Sequence, residues 1–260
     1  MCCLLATALC SCSSSTDDGI SLAQASIERQ VELSKTDKSP HCEVELKLHY
    51  VKGSGSKAGI AKAINETIVK RLFDMSGLTM QQAVDSFANQ YTRDYVKNCL
   101  PLYREDSGDP LKSAWYEYRY SITTETQQER DHTLTYLATL DYYEGGAHGI
   151  NQLLVMNFDT ESGQLITLSD IFAPGYDKKL NELLLNALME ETGTTTIEQL
   201  HDMGYLFATN IFAPENFILG TDAITFIYNP YEIAPYAVGT TRLTIGNSDL
   251  QGIMKKDGKD

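Results

Sequence analysis

Between residues 115 and 143 the chain alternates polar and apolar side chains in two long runs, and this pattern constrains the fold most tightly. Trp115 to Gln127 and Thr133 to Tyr143 are rich in threonine and tyrosine. Beta-branched and aromatic side chains suit a pleated, half-buried surface, and a period of two sends neighbours to opposite faces. Tyr116, Tyr118 and Tyr120 fall on one face of the first run. Leu134, Tyr136, Ala138, Leu140 and Tyr142 fall on one face of the second. Glu43 to Tyr50 alternates in the same way. Gln152 to Phe158, the turn Asp159 to Gly163, and Gln164 to Leu168 read as a hairpin.

Helical periodicity brackets these strands. Ile60, Ile64, Ile68 and Leu72 recur every four residues and predict an amphipathic helix over 58–73. After Gly77 a second stripe, Met80, Val84, Phe87, Tyr91, Tyr95 and Cys99, predicts a helix ending before Pro101. Further on, 177–191 and 196–203 read as helices, and 217–219, 223–228 and 240–245 as short strands. Lys255 to Asp260 is a polar tail. No solenoid period is present. Strands and helices in blocks, joined by hairpins, predict an α+β fold. The expected form is antiparallel sheets with helices packed on one face, in two similar-sized subdomains dividing near 145–151. A face covered by the two early helices explains the Tyr116, Tyr118, Tyr120 row better than a sugar-stacking surface.

The chain carries 35 acidic and 21 basic residues, a formal charge of −14, and is 42 % hydrophobic. That apolar share is too high for disorder. The acidic balance excludes a nucleic-acid partner, which needs a basic stripe, and adhesion to anionic lipid through charge. At the amino terminus the apolar run Cys2 to Cys10 has the length of a signal-peptide core and is too short to span a bilayer. Leu9-Cys10-Ser11-Cys12 looks like a bacterial lipobox, with Cys12 as the acylated residue; Cys10 fits less well because Leu9 would precede it. No Lys or Arg occurs before Arg29, so a positive leader would require a start upstream of Met1. Residues 1–19 are thus expected to be signal and tether, Ser13 to Gly19 being flexible by composition. Asp17-Asp18 resembles the acidic export tag of surface-exposed lipoproteins. The expected location is extracytoplasmic, on the periplasmic or the outer-surface leaflet, with the lipid as the only membrane contact. Cys42 and Cys99 then remain, either as buried free thiols, the commoner fate, or as a disulfide pair.

Two stretches stand out chemically. Tyr142 to Gly149 places three glycines in five positions around Ala147 and His148, with Glu144 four residues before the imidazole. Glycines let a ligand or another backbone approach closely. Histidine and carboxylate at that spacing suit recognition or acid–base work, while a tight turn is the plain structural alternative. Asn229 to Gly239 carries Pro230 and Pro235, which stiffen a loop presenting Tyr231, Glu232 and Tyr236. Those rings also suit packing onto the sheet. The candidate ligand-binding set is therefore Tyr143, Glu144, Gly145, Gly146, His148, Tyr231, Glu232 and Tyr236. No zinc spacing, nucleophile elbow, phosphate-binding loop or dinucleotide fingerprint occurs, so no metal, cofactor or catalytic residue is expected.

Taken together, Tyr-x-Gly-Gly-Ala-His-Gly at 143–149, Leu168-Ser169-Asp170-Ile171-Phe172, and the Pro-Tyr-Glu-Ile-Ala-Pro-Tyr-Ala-x-Gly stretch ending at Gly239 resemble a bacterial extracytoplasmic family. It includes the outer region of RsiV-type anti-sigma factors, which binds lysozyme, and the region preceding the catalytic domain of PdaC-type peptidoglycan deacetylases. The resemblance spans Pro40 to Gln251. It implies a PdaC-like part at 40–148 and an RsiV-like part at 149–252, without a sigma-binding segment or a deacetylase domain. The function it implies is non-catalytic: a lipid-anchored envelope module binding a lysozyme-like protein or a cell-wall glycan. The alternative is a small cell-wall hydrolase using His148 with Glu144 or Asp141.

Overall fold

A computed structural model describes residues 19–35, 39–106 and 110–255. The expected lipobox with Cys12, the expected tether before Gly19 and most of the polar tail lie outside the described residues. Strand β1 (Ile20–Glu32) pairs antiparallel along its whole length with β2 (His41–Gly53). A 3-10 turn then leads into α1 (Ala58–Phe73) and α2 (Met80–Glu105). After the one-turn α3 (Pro110–Ser113) come β3 (Tyr118–Gln127), β4 (Thr133–Glu144), β5 (Ile150–Asp159) and the two-residue β6 (Leu165–Ile166). These six strands form one sheet in chain order. The rest of the chain forms α4 (Leu168–Ile171), α5 (Asp177–Thr192), α6 (Ile197–Asp202), β7 (Phe217–Leu219), β8 (Ala223–Tyr228), β9 (Thr241–Gly246) and α7 (Asn247–Leu250). Strands β7, β8 and β9 make a second, three-stranded sheet.

The α+β class holds, with four differences from the pattern read in the sequence. First, β2 and β3 run parallel. The chain leaves β2 through α1 and α2 and re-enters beside it, and only such a long crossover can join parallel neighbours. Second, a boundary at 148/149 would cut the β4–β5 hairpin, whose strands pair from Thr133↔Asp159 to Tyr142↔Ile150. The first sheet continues to Ile166, so the two units are unequal. Third, α2 runs through Pro101 to Glu105. The amide that proline lacks would have met the carbonyl of Lys97, on the exposed side of the helix, where solvent replaces it. The last turn is held by Tyr103 packing edge-on against Tyr116 at 5.5 Å. Fourth, β1 carries only a weak alternation, with Ala23, Ala25 and Ile27 inward and Gln24, Ser26 and Glu28 outward.

Helices α1 and α2 cover one face of the large sheet. Ile64, Ile68, Val84 and Ala88 are buried against Val44, Leu46, Ile122 and Tyr136, each isoleucine, leucine or valine contributing about 1.5–3 kcal/mol. The tyrosine row belongs to this core, although β3 begins only at Tyr118 and the buried Tyr116 sits in the 3-10 turn Ala114–Tyr116 before it: Tyr118 meets Tyr95 at 5.1 Å, and Tyr120 meets Phe87 at 4.9 Å and Tyr91 at 5.0 Å. Buried phenols need partners, and Tyr136 Oη donates to His49 O at 2.9 Å while Tyr95 Oη donates to Tyr116 O at 2.8 Å. In the second unit Leu180, Leu184 and Leu188 of α5 pack with Phe217, Phe226 and Leu243.

Cys42 of β2 and Cys99 of α2 are free, buried thiols, so the pairing left open by the sequence is not made. Burial, with Cys99 nearby as the next cause, pushes the Cys42 thiol up to about 12. A buried thiol that stays protonated is inert. A thiol-specific disulfide reagent at pH 8 is therefore expected to leave both untouched in the native protein and to label both after unfolding without reductant. Labelling of neither in the unfolded chain would mean a disulfide.

Candidate functional site

The β4–β5 connection is a tight turn because its glycines take the left-handed region, Gly145 at φ 79° and Gly146 at φ 98°. Gly145 also lies against the backbone of Trp115: a Cβ there would stand 2.4 Å from Trp115 O. Tyr143 Oη donates to Gly146 O at 2.9 Å and braces the turn from within. The result is a fixed tip that carries His148 out of the sheet.

The second landmark folds into a compact loop from the other unit. Glu232 N donates to Asn229 O at 3.1 Å and Tyr231 N to Ala234 O at 3.0 Å. Tyr231 sits at φ 74°, a conformation a tyrosine adopts only where its surroundings enforce it, and 60 % of its surface is exposed. Leu206 N reaches Ile233 O at 2.7 Å and ties the loop to the segment after α6.

The two landmarks meet. The His148 ring stacks on Tyr236 at 3.9 Å between centroids and 15° between planes. Tyr231 lies 5.9 Å from Tyr236, and its hydroxyl is 3.2 Å from His148 Nε2. His148 Nδ1 is 2.9 Å from Gly149 O. A carbonyl only accepts, so Nδ1 carries the proton and Nε2 of the neutral ring accepts from Tyr231 Oη. Three rings from loops more than eighty residues apart thus form one bonded, solvent-facing platform.

The carboxylates do not join it. Glu144 accepts from Tyr91 Oη at 2.7 Å, on the helix-covered side. Burial, then this carboxylate, holds the Tyr91 phenol well above its usual range. Asp141 pairs with Arg119 at 3.3 Å. Glu232 turns back to accept from Asn229 N at 2.8 Å. Although Glu232 as a residue is exposed, desolvation of its carboxyl outweighs that hydrogen bond and raises its pKa. The pairing of His148 with Glu144 or Asp141 that the spacing permits is therefore not formed. Among the described residues no group of three potential ligands could hold a metal ion.

Sequence reasoning missed the residues that bring the landmarks together. Strand β6 covers only Asn157 and Phe158 of β5, leaving the rest of that edge open. Two side-chain amides of the second unit complete it. Asn229 accepts from Leu153 N at 2.8 Å and donates to Leu153 O at 3.1 Å. Asn216 accepts from Val155 N at 2.7 Å and donates to Leu153 O at 2.8 Å. Leu153 and Val155 then pack with Ile227. The signal for Asn229 was its place before Pro230, where asparagine commonly initiates turns; Asn216 carried none.

Fold and site together define a two-sheet α+β module whose units are joined along one strand edge and share a surface platform of aromatic rings. Residues 169–248 match a family described as "Protein of unknown function (DUF3298)", a segment that runs from α4 to α7 and so coincides with the second unit. Tyr231, Glu232 and Tyr236 lie inside the match, and the hairpin with His148 lies outside it. The crystal structure of a DUF3298 family member from Bacteroides fragilis is similar at 29 % identity and a TM-score of 0.85, over 93 % of this chain and 96 % of that one. A DUF3298 family protein from Pseudomonas aeruginosa shares the fold at 16 % identity and a TM-score of 0.61, over 92 % of this chain and 96 % of that one. No curated protein matches the chain. The comparisons thus give a DUF3298 domain in the second unit and a structural relative that extends through both.

Proposed function

We propose that the protein is a non-catalytic, lipid-anchored binding module of the bacterial envelope, extracytoplasmic on the periplasmic or outer leaflet, that holds a cell-wall glycan on the His148–Tyr236–Tyr231 platform. The observation that carries this reading is the convergence of two loops, one from each unit, on a stacked and exposed set of rings. Rings with polar tips offer a flat apolar face to a sugar and hydrogen-bonding groups at its edge, and rigid aromatic anchors dominate binding energy. The lipobox at Cys12 supports the anchor. The geometry favours binding over hydrolysis, because the carboxylates that would have served His148 are committed to Tyr91 and Arg119. The charge of −14 favours a second partner, a strongly basic lysozyme-like protein, although screening beyond about 8–10 Å weakens that attraction at physiological salt.

Titration with chitooligosaccharides and muropeptides tests the glycan reading. Tyr236→Ala and His148→Ala are expected to weaken binding about tenfold or more. Binding that both substitutions leave unchanged would refute the site. A c-type lysozyme titrated at two salt concentrations separates the second partner: saturable binding that survives the higher salt supports it, and heat that vanishes leaves charge attraction alone.

A further inference from the structure

A cavity of about 230 Å³ opens at the junction of the two units, lined by neither His148, Tyr231 nor Tyr236. Its floor is apolar, made by Leu154 and Met156 of β5 with Ile166 of β6, and Phe212 closes one side. Its walls carry opposite charges from different units. Arg71 of α1 lines it from the first, and Glu215 and Glu232 line it from the second. Arg71 pairs with neither acid among the described residues. Each carboxylate has one oxygen engaged by a backbone amide: Glu215 Oε2 accepts from Leu168 N at 3.1 Å, and Glu232 Oε2 accepts from Asn229 N at 2.8 Å. Among the described residues no hydrogen bond engages the other oxygen of either, which leaves it for a ligand.

From this arrangement we infer that the cleft binds a small amphipathic zwitterion, a free amino acid or dipeptide, with its carboxylate on Arg71, its ammonium on Glu215 and Glu232, and its side chain on the β5–β6 floor. A simple anion would face two carboxylates, and a simple cation would face the guanidinium. A neutral apolar molecule would strip water from all three charges and return nothing. Only a ligand bearing both charges at its ends and an apolar body between them satisfies both walls and the floor. Guanidinium matches a carboxylate through paired hydrogen bonds. The volume lies below the roughly 300–1,000 Å³ of sites for drug-sized molecules, which limits the occupant to one or two residues. Partial desolvation already raises the Glu232 carboxyl, a cost that an ammonium placed beside it would offset. The inference stands apart from the glycan reading, since none of these side chains belongs to the platform.

Calorimetric titration of the protein with leucyl-alanine, its N-acetyl form and its carboxamide tests it. The free dipeptide is expected to bind one-to-one, and blocking either end should weaken it about tenfold. Arg71→Ala should abolish the preference for the free acid over the carboxamide, and Glu232→Gln the preference for the free amine over the acetyl form. Arg71 is exposed and glutamine keeps the shape of Glu232, so an unchanged unfolding midpoint will show that both variants fold. Absence of saturable binding, or binding indifferent to the blocked ends or to both substitutions, would overturn the assignment.

Discussion

Exchanging Asn216 or Asn229 for alanine is expected to destabilise the protein by about 2–4 kcal/mol each, more than most point substitutions. The amides of Leu153 and Val155 belong to a strand edge that has no strand beside it, and both residues are buried. With the asparagine gone, a buried N–H keeps its desolvation cost and loses its acceptor. Asn216 should be the costlier position, because its amide also reaches Ile227 O at 3.3 Å and so holds β8 as well as β5. The two share Leu153 O as acceptor, so the double variant should lose less than the sum of the singles. Urea unfolding measures all three. Costs below about 0.5 kcal/mol would mean that water reaches the β5 edge and that the amides do not hold the units together. A second readout is available: Asn229 begins the turn that presents Tyr231, so its loss should also weaken glycan binding at the platform.

Where the sequence repeats strongly, the structure follows it closely. Helix α1 has the predicted bounds, because four isoleucine and leucine positions at helical spacing leave one solution. Strands β3 and β4 follow from threonine and tyrosine alternation in the same way. Strand β1 was not legible, because its inward positions mix Ser21, Ala23, Ala25, Ile27, Arg29 and Val31, and its stability comes from pairing with β2 rather than from its own apolar face. The parallel partnership of β2 and β3 joins residues separated by two helices, which no local pattern encodes. For the candidate site, both landmarks were visible as unusual local chemistry, but not that they touch. One failure was avoidable. Glu144 shares parity with Leu140 and Tyr142 on β4, so alternation alone aims it at the helix side, where Tyr91 waits, and away from the turn that carries His148.

Gly145→Ala should damage the hairpin far more than Gly146→Ala, although both glycines hold positive φ. Either substitution forces an alanine into the left-handed region, at about 1–2 kcal/mol. At Gly146 nothing lies within 4 Å of the new Cβ, so that strain is the whole cost. At Gly145 the Cβ would stand 2.4 Å from the carbonyl oxygen of Trp115, a backbone atom that cannot rotate away. Either the turn lifts from the 3-10 segment at Ala114–Tyr116 or that segment moves, and the total should reach about 2–4 kcal/mol. The displacement carries His148 with it while Tyr231 and Tyr236 keep their places on the other unit. Gly145→Ala is therefore expected to weaken glycan binding as severely as His148→Ala, although it removes no ring, whereas Gly146→Ala should bind nearly as the parent does. Equal unfolding costs for the two glycine variants would show that the contact with Trp115 relaxes freely and does not position the histidine.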